Sequence, residues 1–172
     1  MTLVVPPGIP SDGSWKVSFV STIADPTMTK IATEINAAGS VAAECLLTKG
    51  GIGIDNSYEK FKDERLCTIA VFEQNGSLTW TINDLNFVMD PQTPTSPTNK
   101  LYALVKDGWT GFLVIRMGKA SDVAWAVADK VWVVPVQVGI PTPFAPEANS
   151  TLRAKAAVSV IGTVQREVGL AA

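Results

Sequence analysis

The dipeptide Asn75-Gly76 sits inside LCTIAVFEQNGSLTWTINDLNFVMDP, residues 66–91, between two runs rich in β-branched and aromatic side chains. A type I′ turn needs positive φ at both central residues, a conformation that Asn and Gly adopt most cheaply. The stretch therefore predicts a β-hairpin turning at Asn75-Gly76. No Lys or Arg occurs from Leu66 to Asn99, whereas Glu73, Asp84 and Asp90 are acidic. A long hairpin with uncharged or acidic faces suits a surface that other protein covers, or one that faces an anion without gripping it.

At 172 residues the chain is long enough for one domain, and a domain of that size buries roughly 70% of its unfolded surface. Hydrophobic residues make up 47% and charged residues 17%, against about 25% charged in ordinary globular proteins. So little charge points to surface buried by other subunits; a monomer with a large core is the alternative. The net charge of −2 and a pI near 5.1 exclude a basic footprint for nucleic acid. Met1 to Gly13 has no positive n-region and contains Pro6, Pro7 and Pro10, unlike a secretory signal. The longest apolar candidate, Val131 to Val138, is interrupted by Pro135 and falls well short of a membrane helix. The expectation is a soluble protein made in the cytoplasm. Cys45 and Cys67 lack CxxC spacing and read as buried, reduced thiols, with a disulfide between them left open.

Residues 1–14 read as an extended arm, 15–164 as a single domain and 165–172 as a C-terminal tail. Trp15, Val17 and Phe19 alternate with Lys16 and Ser18, the pattern of a half-buried strand. Asp25-Pro26 predicts a helix start, with Met28, Ile31, Ala32 and Ile35 at helical spacing and Gly39 at the end. Residues 49–65, KGGIGIDNSYEKFKDER, show no clear period and read as a long exposed loop. A short helix is expected from Asn99 to Asp107-Gly108, and a strand over Gly111 to Met117. Val131 to Val138 is apolar on both faces, with Val131 and Val133 opposed to Trp132, Val134, Val136 and Val138. One sandwich covers only one face, so the second is expected to meet a neighbour. Leu152 to Val164 begins with strand alternation and reads as a long final strand. The fold class is α+β, mainly β: a two-sheet β-sandwich of five to seven strands with a flanking helix.

The chain has no histidine. Ser–His–Asp and Cys–His catalysis are excluded, along with the commonest zinc ligand. Asp84 and Asp90 could pair as glycosidase carboxylates, but a strand end and a following proline make them solvated turn acids. Gly50-Gly51-Ile52-Gly53 lacks the Lys-Ser/Thr of a phosphate loop and reads as a hinge. Asp55, Asn56 and Glu59 lack the calcium-loop ligand pattern. Trp80 and Trp132 fall in strand patterns and read as core. Trp109 and Trp125 lie near loops and read as interface residues, with a sugar-stacking platform as the competing use. The cluster Glu59, Lys60, Phe61, Lys62, Asp63, Glu64 and Arg65 reads either as solvated loop or as a docking element, with balanced charges setting register and Phe61 as anchor. No catalytic residue, metal site or cofactor is expected. The chain reads as an assembly component.

Taken in order, DERLC (63–67), LTWTINDLNFVMDPQ (78–92), DGWTGFLVIRMGK (107–119), AWAVADKVWVVPVQVG (124–139) and APEANSTLRAKAAVSVIGTV (145–164) carry a family likeness. The chain resembles the major tail tube proteins of long, non-contractile-tailed bacteriophages, especially those infecting actinobacteria. The resemblance implies a sandwich whose inner sheets join between subunits into a barrel-like hexameric ring. It further implies stacking of rings into a tube in the virion tail, with DNA passing through the lumen without specific binding. The implied partners are the chain itself and other tail proteins, such as terminator and distal tail proteins. A closed ring would also satisfy sheet edges that otherwise template aggregation. On this basis 66–90, with one or both of 131–138 and 152–164, is expected in the inner barrel. Thr79, Thr81 and Asn83, which alternate with Leu78, Trp80 and Ile82, are the candidate lumen-facing residues. A monomeric carbohydrate-binding or adhesin-like sandwich and a contractile-system tube protein are the alternatives.

Overall fold

In the computed structural model, residues 6–172 are described. Its strands are β1 (Trp15–Val20), β2 (Val41–Ala42), β3 (Ile54–Asp63), β4 (Phe72–Ile82), β5 (Leu85–Val88) and β6 (Trp109–Met117). They continue with β7 (Lys130–Val138), β8 (Thr142–Pro143), β9 (Arg153–Ala156), β10 (Val158–Val160) and β11 (Gln165–Gly169). A single α-helix among the described residues, α1 (Lys100–Val105), lies between β5 and β6. The protein is mainly β. The main sheet runs β10-β7-β6-β1-β2, with β11 also paired to β7; β5-β9-β8 form a smaller sheet, and β3-β4 a separate ribbon.

The antiparallel pair β6–β7 organises the main sheet, in register from Trp109 opposite Val138 to Arg116 opposite Val131. Side chains on β7 alternate as the sequence predicts. Val134, Val136 and Val138 enter the larger core, where they meet Leu85 and Phe87 of β5, Ala154 and Ala156 of β9, and Leu101 and Val105 of α1. Val131 and Val133 enter a second core with Val20, Val114, Ile23, Ile35 and Leu170. The second face of β7, expected to meet a neighbour, is thus covered by the chain's own residues. Ser18, on the expected solvent face of β1, is buried for the same reason.

The helix expected at 99–107 forms as α1. Pro97 supplies a preset φ, Ser96 Oγ accepts the Thr98 N–H at 3.3 Å, and Gly108 at φ +82° ends the turn. The helix expected from Asp25-Pro26 to Gly39 does not form. Only a wide turn at Ile31–Ile35 does, with hydrogen bonds from Ile35 N to Lys30 O and from Asn36 N to Ile31 O. The buried Glu34 carboxylate accepts the N–H groups of Ala24 at 2.8 Å and Lys30 at 2.6 Å. Ile31 N bonds to Ala171 O. These tertiary bonds, with β-branched Ile31, Thr33 and Ile35, outweigh weak helix propensity.

The long final strand is broken. β9 lies in the smaller sheet and β10 in the main one, so the chain changes sheets at Ala157, as strands do at sandwich corners. A second break follows at 161–164. Pro135 in β7 has no N–H, and Ile161 N donates to its carbonyl at 3.0 Å before pairing resumes at Gln165. A continuous strand beside Pro135 would leave an acceptor unmatched. Cys45 and Cys67, expected buried, are exposed and unpaired. Trp109 and Trp125, expected at an interface, pack within the chain: Trp109 against Phe19 at 5.5 Å, and Trp125 under the Arg116 guanidinium at 5.2 Å.

Arg116 is the largest fully buried side chain. It donates to Asp129 Oδ2 at 2.9 Å and to the carbonyls of Ala124 at 2.8 Å, Val123 at 2.8 Å and Ala120 at 3.0 Å, which orders the β6–β7 connection. Lys119 also donates to Asp129. Burial pushes the Asp129 carboxyl up, but hydrogen bonds from Lys119, Arg116 and the Ala126 N–H outweigh it and hold the group below its ordinary 3.8. Removing one partner of a buried ion pair strands the other. Arg116→Met should therefore cost about 3 kcal/mol or more, measured by denaturant unfolding. Because the Asp129 pKa is depressed, its contribution is present above pH 3.8 and lost as pH falls through the lower folded value. Asp129→Asn should thus flatten the acid limb of the stability curve below about pH 4, and an unchanged limb would contradict this.

Candidate assembly surface

The β3–β4 ribbon projects from the body with nearly all of its residues exposed. Two sequence expectations are corrected here. Residues 54–63, read as loop, form β3, and Asn75-Gly76 lies within β4 rather than at a turn. The turn is formed instead by 64–71. Tyr58 pairs with Leu78 and Lys60 with Asn75, so Gly76 and Ser77 together oppose Glu59 as a bulge. A side chain at Gly76 would approach the Glu59 carbonyl, so glycine is the residue that lets the bulge close. The turn signal at Asn75-Gly76 was local; β3 offered β4 ten residues of antiparallel pairing, which a tight turn there would have forfeited.

Directly opposed residues share a face. In the inner half, Ile54, Asn56, Tyr58, Leu78, Trp80 and Ile82 share one face, and Asp55, Ser57, Thr79 and Thr81 the other. The first face roots the ribbon: Ile82 is buried, and Trp80 meets Trp132 edge-on at 5.9 Å. The second carries hydroxyls and a carboxylate and no Lys or Arg. Beyond the bulge the faces change character. Lys60, Lys62 and Glu73 lie on the side of Trp80, and Phe61, Asp63, Phe72 and Gln74 on the side of Thr79. Thr79 and Thr81 thus stand exposed on a polar wall. Asn83 is exposed as well, but its side chain is engaged: it accepts the Gly53 N–H and donates to the Gly50 carbonyl at 3.1 Å, clasping the root.

The predicted docking residues Glu59 to Arg65 occupy the outer half of β3 and the start of the turn. Their charges pair locally, Lys60 with Glu73 at 3.4 Å and Arg65 with Asp63 at 2.8 Å. The Asp63 carboxylate beside it raises the Arg65 guanidinium further above its ordinary range. Surface pairs of this kind are screened by water and contribute little, while ordering one backbone residue costs about 1–2 kcal/mol. The tip therefore lacks the burial to hold itself. Leu66 and Ile69 are as exposed as in an isolated peptide, and Phe61, Val71 and Phe72 are about half exposed. The run LCTIAVF reads from sequence as a paired strand, but only Phe72 joins β4 and 66–71 form the turn, which leaves Leu66, Ile69 and Val71 exposed beside Phe61.

The other sequence candidates are structural. Gly50 turns the chain at φ +70°, and a Cβ on Gly51 would press into the Asn86 carbonyl of β5. Asp84 is exposed between β4 and β5, and the Asp90 N–H is held by Asn99 Oδ1 at 3.2 Å. Among the described residues no cluster of three or more His, Cys, Asp or Glu could hold a metal ion, and no helix is long and apolar enough to cross a membrane.

A family model described as "Phage tail tube protein" matches residues 3–172. The chain belongs to the phage tail tube protein family. It is a structural subunit of the virion tail, and the family implies self-assembly and contact with other tail components. No curated protein matches it in sequence. Among solved structures, the chain is similar to one from the 6-fold symmetrised cryo-EM structure of the anti-feeding prophage (AFP) baseplate. The two share 10% identity with a TM-score of 0.50, over 94% of this chain and 96% of that one. At that identity the likeness concerns the fold alone.

Replacing the root clasp should loosen the ribbon and leave the body intact. Asn83→Ala removes two hydrogen bonds of about 1 kcal/mol each. Amides of 54–63 and 72–82 should then exchange up to about thirtyfold faster while those of β6 and β7 keep their rates. Equal acceleration everywhere would contradict a local clasp.

Proposed function

We propose that copies of this chain join into rings, that the rings stack into a tube, and that the β3–β4 ribbon is the element that neighbours complete. One observation carries this reading. Both faces of the main sheet are covered within the chain, while the ribbon and its apolar tip are left bare. An isolated two-stranded hairpin is marginal in water, so a ribbon of this length is expected to gain its missing cover from another subunit.

The inner-half faces divide the task. The side carrying Tyr58, Leu78 and Trp80 continues the body's core outward and suits protein cover. The side carrying Asp55, Ser57, Thr79 and Thr81 suits the lumen wall, since hydroxyls and carboxylates offer phosphates nothing to grip and DNA could slide past. Asn83 belongs to the root rather than to that wall. In this arrangement the ribbons of several subunits build the inner barrel, and β7, covered on both faces, stays in the body. Glu59 to Arg65, with the apolar turn beyond, dock on an adjacent subunit or ring. Terminator and distal tail proteins would meet the ends of such a tube through the same surfaces.

The carbohydrate-binding alternative rested on five tryptophans. Four are engaged in packing: Trp80 with Trp132, Trp109 with Phe19, and Trp125 with Arg116. That leaves no stacking platform on them.

The double variant Leu66→Asp, Ile69→Asp touches nothing in the core and should yield a folded monomer with unchanged thermal stability. By negative-stain microscopy it should form no tubes under conditions where the parent does. Tubes like those of the parent would overturn the docking role of the tip.

A further inference from the structure

Beside the ribbon's root lies a groove of about 420 Å³ whose apolar wall includes Trp15, Leu47 and Ile52 and whose lining includes Glu44. That volume lies in the range of sites that take a small organic group or a few side chains. Glu44 is largely buried. Its Oε1 meets Lys16 at 3.3 Å, and its Oε2 is buried with no hydrogen-bond partner among the described residues. A buried carboxylate oxygen left unpaired is costly, and the group that would relieve it is a cation carried on an apolar stem. The Asp12–Lys49 pair at the groove is almost wholly exposed and weak enough to open.

Resting on the docking role of the tip, we propose that this groove receives the ribbon tip of a second copy. Leu66 and Ile69 fill the apolar wall, and Arg65 exchanges its partner Asp63 for the Glu44 carboxylate. The match is one of charge and of kind: the tip presents a cation beside two fully exposed aliphatic side chains, and the groove is lined by the Glu44 carboxylate beside apolar walls. The geometry fixes the copy. Ile52 lies two residues before β3 begins, whereas the tip lies beyond ten residues of strand, about 30 Å away at 3.3 Å per residue. A ribbon cannot return its tip to its own root, so each chain offers a tip at one end and a groove at the other. That contact is heterologous and repeats head to tail, around a ring or along a stack according to the rotation between copies.

The chain's two cysteines report on the contact directly. Cys67 follows Leu66 on the tip and Cys45 follows Glu44 at the groove, and both are exposed. Assembled full-length protein treated with a short bis-maleimide should give a ladder of multimers, with Cys45–Cys67 as the linked peptide pair. Cys45→Ser and Cys67→Ser should each abolish the ladder, and mixing the two should restore only dimers. Glu44→Gln and Arg65→Ala should each raise the protein concentration needed for assembly about tenfold, the double variant adding little to either. Arg65 is on the exposed tip, so its variant folds regardless of the groove. A Cys67–Cys67 pair, or tubes with neither link, would overturn the groove as the receptor while the tip could still dock elsewhere. Normal tubes from the Leu66→Asp, Ile69→Asp variant would remove the docking role beneath it.

Discussion

The antiparallel pair β6–β7 is buried on both faces by one chain, and the remaining architecture follows from how that cover is found. Val134, Val136 and Val138 are capped by β5, β9 and α1; Val131 and Val133 by Ile23, Ile35 and Leu170. Each fully buried aliphatic side chain contributes about 1.5–3 kcal/mol. The body therefore needs no partner to fold. Arg116 extends this self-sufficiency to the 118–129 connection, whose carbonyls would otherwise wait on water.

On the proposed assembly, a body that covers itself leaves contact between copies to what it leaves out. The β3–β4 ribbon is that remainder, fixed at the root by Ile82, the Trp80–Trp132 pair and the Asn83 side chain, and increasingly bare towards Leu66 and Ile69. The bulge at Gly76 serves this division by reversing which face β4 presents, so that the aromatic outer half and the hydroxyl-lined inner half share one side. A tail tube subunit gains from such a layout. In the assembly proposed above it would fold before it polymerises, with its interface energy held in one lever that neighbours cover.

Much of the body was legible in the sequence because burial writes a period. The face assignment of Val131 to Val138 and the helix ending at Gly108 came directly from alternation and capping. Where the reading failed, a tertiary interaction had replaced a local preference. Asn75-Gly76 carries the strongest short-range turn signal in the chain, yet pairing with 54–63 turned it into a bulge. The absence of a period in 49–65 followed from a ribbon with water on both faces, where no side needs to be apolar. The helix at 25–39 was lost to Glu34, which bonds to the backbone outside its own turn. The charged cluster 59–65 was found by composition, while the apolar tip beside it was hidden by looking like a strand.

Hydrogen exchange by mass spectrometry on monomer and on assembled tubes addresses the central claim, that neighbours complete the ribbon. Amides of 54–63 and 72–82 should exchange quickly in the monomer and become protected by at least about a hundredfold on assembly. Those of β6 and β7 should be protected equally in both states. A ribbon already protected in the monomer, or one left unprotected in the tube, would contradict the account.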